Sequence, residues 1–158
     1  LSLVDTWRRI DAYIASDDSG LKGYVFVSSG KNEGLRPQGS GPWMTTFVEV
    51  SNDENISFGA NPNCATEEGT ITIEINDRTG TGSSNLYSLA KVYDDIRQAF
   101  LGNEGNSYLY PVEPEDSGVF YFNNITSSTP IQVTDPRSRI DWVQQRVFIA
   151  YRKDFNTQ

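Results

Sequence analysis

Apolar residues recur along this chain with two periods, one close to four and one of two. Leu3, Trp7, Ile10 and Ile14 fall at helical spacing, with Arg8, Arg9 and Asp11 off the stripe, which predicts a helix over 3–16 that stops at the breaker cluster Asp17-Asp-Ser-Gly20. A second and longer helix is expected from about Asn85 to Leu101. Leu86, Leu89, Ala90, Tyr93, Ile96, Ala99 and Phe100 form its broad apolar face, and Gly102 is its C-terminal cap.

Between and after these helices the period drops to two. Met44, Thr46, Val48 and Val50 alternate with Thr45, Phe47 and Glu49, and Ile71, Ile73 and Ile75 alternate with Thr70, Thr72 and Glu74. Further strands are expected at Tyr24–Val27, Val119–Phe122, Ile131–Thr134 and Val143–Arg152. In the last, Val143, Val147, Ile149 and Tyr151 share one face, while Arg146, Phe148 and Arg152 take the other. The polar stretch Ser51–Thr66 reads as a hairpin connection or a projecting loop. The order helix, strands, helix, strands predicts an α+β fold: a mixed, mainly antiparallel sheet with two helices packed on one face. No linker divides the chain, so residues 1–158 are expected to form a single domain.

Composition narrows the chemistry. The chain is 37% hydrophobic, with a net charge of −8, one cysteine and no histidine. The missing histidines remove the commonest general base and every Ser-His or Cys-His pair, and leave a zinc site improbable. Cys64 has no basic neighbour to activate it and is expected to be inert. The acidic balance argues against wrapping nucleic acid. No apolar run reaches ~20 residues, and no basic-then-apolar segment opens the sequence, so neither membrane nor secretory signal is expected.

Gly80-Thr-Gly82-Ser-Ser84 sits between strand and helix, where phosphate-cradling loops occur. It lacks the lysine of a P-loop, and Asn85 stands where a dinucleotide fingerprint needs its third glycine. Gly80, Gly82, Ser83 and Ser84 are therefore read as a turn that reverses the chain and caps the helix. The carboxylate pairs Glu67-Glu68 and Asp94-Asp95, and the acidic run Glu113–Asp116, read as solvated surface rather than as catalytic pairs. Trp7, Trp43 and Trp142 are expected in the core or at a protein contact. Arg137, Arg139, Arg146, Arg152 and Lys153 give the C-terminal part a basic bias, read either as a solvated strand edge or as a contact for an acidic neighbouring subunit.

One resemblance joins several of these features. The run Glu67-Glu-Gly-Thr-Ile-Thr-Ile-Glu-Ile-Asn76, then Gly80-Thr-Gly82, then Leu86–Phe100 resembles the tail terminator proteins of long-tailed bacteriophages. The helix over 3–16, Pro42-Trp43 opening a strand that ends Val-Glu-Val50, and the closing Tyr151-Arg-Lys-Asp-Phe155 are similar to the same family. The long polar insert Ser51–Thr66 and the long Gly105–Gly118 loop depart from its pattern.

The resemblance implies a virion structural protein rather than an enzyme, without a cofactor, assembled in the bacterial host cytoplasm. It implies a hexameric ring that caps the head-proximal end of the tail tube and stops tube polymerisation. Its partners would be itself, the tail tube protein and the head-completion or stopper protein at the neck, with double-stranded DNA crossing the lumen unread. Trp142, Arg146 and Arg152 are the candidate subunit-interface residues. The competing expectations are a carbohydrate-binding module and a nucleotide-binding enzyme.

Overall fold

The computed structural model describes residues 2–28, 42–58, 61–78, 84–102, 107–109, 118–134 and 141–156. Helix α1 (Ser2–Ala15) leads through a single 3₁₀ turn (Asp17–Ser19) into strand β1 (Val25–Ser28). Two long strands follow, β2 (Trp43–Phe58) and β3 (Asn61–Arg78), then helix α2 (Ser84–Leu101). The chain closes with β4 (Ser107–Leu109), β5 (Val119–Ser127), β6 (Ile131–Thr134) and β7 (Asp141–Asn156).

The strands form one sheet in the order β1-β2-β3-β7-β5-β4, with β6 also paired to β7. Among the described residues only the β1–β2 pair is parallel, so the sheet is mixed and mainly antiparallel, and the fold is α+β as the periodicity predicts. The alternation holds residue by residue. Met44, Val48, Ile71, Ile73, Ile75, Val147 and Ile149 all lie on the face that both helices cover, and each is at most 2% exposed. Ile10, Ile14, Leu89, Val92, Ile96 and Phe100 complete that core from the helices. Phe100 of α2 meets Phe122 of β5 edge to face at 4.9 Å and Tyr13 of α1 at 5.5 Å, which locks the two helices to each other over the sheet.

Helix ends follow local chemistry. The Ser19 hydroxyl donates to Ile14 O at 2.9 Å and accepts from Leu21 N at 3.0 Å, while Gly20 turns left-handed at φ 73°. Gly102 at φ 62° returns its N–H to Gln98 O at 3.0 Å and ends α2 as the sequence predicts.

Four expectations are corrected. Ser51–Thr66 is strand almost throughout: β2 and β3 stay paired out to Phe58 and Asn61. The hairpin alternative holds and the loop does not. The stretch Gly105–Gly118 contains the short strand β4, held by Ser107–Phe122 and Leu109–Phe120 pairing. On α2, Leu86 is 55% exposed and Ala90 is exposed, while Val92, outside the predicted face, is 1% exposed. The face that docks is therefore rotated toward Val92 and Ile96. Finally, β7 is no strand edge. It lies inside the sheet, flanked by β3 on one side and by β5 and β6 on the other.

Candidate docking face and the buried polar cluster beneath helix α1

The sheet is much taller than the helices that cover it. Strands of 16 to 18 residues span ~53–59 Å at the usual rise, against ~21–27 Å for helices of 14 and 18 residues. One face of the sheet carries no helix at all among the described residues. Alternation puts Trp142, Gln144, Arg146, Phe148, Ala150, Arg152 and Asp154 of β7 on that open face, beside Glu68, Thr70, Thr72 and Glu74 of β3.

Trp142, Arg146 and Arg152 thus share one face. Arg146 Nε donates to Glu74 Oε1 at 3.2 Å, directly across the β3–β7 register, and Thr45 and Gln144 converge on the same carboxylate at 3.2 and 3.4 Å. At the other end, the Arg152 guanidinium lies 4.7 Å from the centre of the Tyr121 ring and bridges Asp154 at 3.2 Å. Both arginines remain about half exposed. Between these charged ends sit Phe148 and Phe47, the latter 50% exposed, with Thr72 pairing to both. The layout is a partly apolar centre with a charged rim, the anatomy of a protein contact.

The tryptophans divide. Trp43 is 5% exposed and lies 6.1 Å from Trp142 at the base of the open face. That burial closes the Trp43 ring itself to a stacking ligand. Trp7 of α1 lies against β2, meeting Phe47 edge to face at 5.5 Å and donating its Nε1–H to Thr46 Oγ1 at 3.3 Å. Gly80, Gly82 and Ser83 lie outside the described residues, and Ser84 is the first residue of α2. Arg137, Arg139 and Glu113–Asp116 are also outside them.

No protein-family model matches this chain. Nor does any curated protein match it.

The helix-covered face holds a feature that sequence reasoning missed. Glu67 and Lys153, partners in the β3–β7 register, are 0% and 1% exposed, and Arg9 of α1 is 4% exposed. Thr6 Oγ1 donates to Glu67 Oε2 at 2.7 Å, and Tyr151 OH donates to the same oxygen at 2.8 Å. Lys153 Nζ donates to Asp5 Oδ2 at 2.9 Å and to Thr6 Oγ1 at 3.2 Å. Arg9 NH1 reaches Gly118 O at 3.0 Å, and its guanidinium stands 4.6 Å from the Phe120 ring centre. Burying a charge is costly unless polar partners compensate it: Lys153 is paired with Asp5, Glu67 accepts from two hydroxyls, and Arg9 has a main-chain carbonyl and an aromatic face.

Two signals foretell the cluster. Lys153 continues the buried series Val147, Ile149, Tyr151 by one more alternation. Arg9 lies on the same helical stripe as Thr6, Ile10 and Tyr13. The pair Glu67-Glu68 splits for the same reason: adjacent strand residues face opposite ways, so Glu67 is buried and Glu68 exposed. Asp94 and Asp95 also part. Asp94 is exposed, whereas Asp95 accepts from Tyr24 OH and pairs with Lys91 at 3.2 Å. Burial and the hydrogen bond to Asp95 push the Tyr24 phenol above its ordinary pKa.

Proposed function

We propose that this chain is a phage tail terminator: a structural subunit that closes into a six-membered ring on the head-proximal end of the tail tube. The observation that carries the reading is the open sheet face, where Trp142, Arg146 and Arg152 share one side with a half-exposed apolar centre between two charged ends. A ring subunit needs two unlike patches, one meeting the other on the next copy until the rotation closes. A helix-free sheet face and the exposed outer side of α2, with Leu86, Tyr87 and Asp94, are two such patches. In the ring, the first would take the second.

The ring arrests tube growth by presenting a new surface where the next tube ring would dock, and offers its opposite side to the head-completion protein. An acidic subunit, at net −8, repels the DNA that crosses the lumen and keeps it from sticking. The test is a polymerisation assay: purified tail tube protein is allowed to assemble with and without this chain. Shortened tubes carrying a density cap at one end support the reading. Tubes of unchanged length and bare ends contradict it.

A further inference from the structure

Strand β1 pairs with β2 only from Trp43 to Thr46. From Phe47 to Phe58 the outer edge of β2 has no partner strand among the described residues, while its inner edge is paired with β3. An antiparallel strand turns the N–H and C=O of alternate residues outward, so this edge presents a ladder of main-chain groups to any extended segment.

Natural edges of this kind are guarded, commonly by lysine, proline, bulges or inward-pointing charge. Here the guard is one-signed. Strand β2 carries Glu49, Asp53 and Glu54 and no lysine or arginine, and Glu49 is exposed. Two such edges brought together would set carboxylate against carboxylate, which disfavours a second copy of this strand. The same charges favour a segment of opposite sign. Register shifts at Val50/Asn52 and Ile56/Phe58 divide the edge into lengths that suit one short added strand. At its start, Phe47 is half exposed with Trp7 edge-on beside it, an aromatic anchor for an apolar side chain of the incoming strand.

We propose that the outer edge of β2 from Phe47 onward is a strand-addition site for an extended, lysine- or arginine-bearing segment of a partner protein. Main-chain bonds supply the affinity and the acidic edge supplies the choice. The inference is independent of the ring reading, because it concerns an edge that Trp142, Arg146 and Arg152 do not occupy.

The probe is a nine-residue peptide alternating valine with lysine, measured by fluorescence anisotropy against the whole chain. Two control peptides accompany it: one with glutamate for lysine, one N-methylated at alternate residues so that it cannot form a ladder. The expected result is binding of the lysine peptide, at least tenfold weaker binding of both controls, and slowed amide exchange confined to 47–58. The Glu49→Lys variant should weaken the lysine peptide severalfold while its circular dichroism is unchanged. Equal binding of the N-methylated peptide, protection elsewhere, dimerisation through this edge, or no binding at millimolar peptide each overturns the proposal.

Discussion

Asp5 and Lys153 stand 148 positions apart in the chain and meet at 2.9 Å beneath helix α1. The contact ties the first turn of the molecule to its last strand. Through Thr6 and Glu67 it continues into β3, so one polar cluster fixes where α1 sits on the sheet. A second polar tie lies at β2, where Thr46 donates to Asp11 at 2.6 Å and accepts from Trp7. Apolar burial alone holds a helix to a sheet but tolerates sliding. Two sets of directional bonds specify one position.

Removing one member of the buried cluster is expected to cost more than removing the charge pair as a whole. Lys153→Met removes the buried cation that Asp5 and Thr6 hold beneath α1 and should lower stability by about 3 kcal/mol, the usual cost of breaking a buried ion pair. Adding Asp5→Asn should recover part of that loss. Urea midpoints at constant slope measure both.

Gly69 is held by shape. A Cβ there would lie 2.2 Å from Glu49 O and 2.8 Å from the Tyr151 ring and hydroxyl. Gly69→Ala must therefore push apart β2 and displace Tyr151, which donates to Glu67. The expected loss is about 2–3 kcal/mol, in the range of core overpacking. Thermal denaturation of the variant checks it, and a melting temperature equal to the parent's would show that the strands yield freely.

High pH should act through two tyrosines. Desolvation first, then nearby carboxylates, raise Tyr13 and Tyr24 above their ordinary value of 10.0. A raised folded-state pKa means the unfolded chain loses its phenolic protons first. The contribution to stability is thus complete below about pH 10 and falls as pH climbs through the folded values. The double variant Tyr13→Phe/Tyr24→Phe should show a shallower decline above pH 10. Urea unfolding from pH 8 to 11 tests the difference, and tyrosinate absorbance follows the ionisation directly.

Much of this architecture is legible in the sequence, because strict alternation leaves little freedom. Ile71, Ile73 and Ile75 declare both a strand and its buried side, and Ile131–Thr134 is found at its predicted bounds. What escaped was polar. Residues 52–55 and 61–66 carry no apolar rhythm, and it is their cross-strand pairing that shows them to be strand. Arg9 and Lys153 escaped because a charged side chain reads as surface until its partners, far away in sequence, are known. The open sheet face was half visible: its arginines alternate correctly, but their ion pairs with Glu74 and Asp154 needed the register.

Charge reversal on the open face separates assembly from folding. Arg146 and Arg152 make exposed ion pairs, which contribute only ~0–1 kcal/mol to the monomer. Arg146→Glu/Arg152→Glu should therefore fold normally yet fail to close rings. A phage lacking its own terminator, supplied with this variant, should yield far fewer infectious particles than with the parent chain.

Ring formation itself is the claim on which the functional account stands. Negative-stain electron microscopy of the purified chain, concentrated with magnesium and mixed with tail tube protein, counts subunits directly. The account predicts six-fold rings with an open centre, free or seated on one end of each tube. Particles of single-chain size in the presence of bare-ended tubes would contradict it.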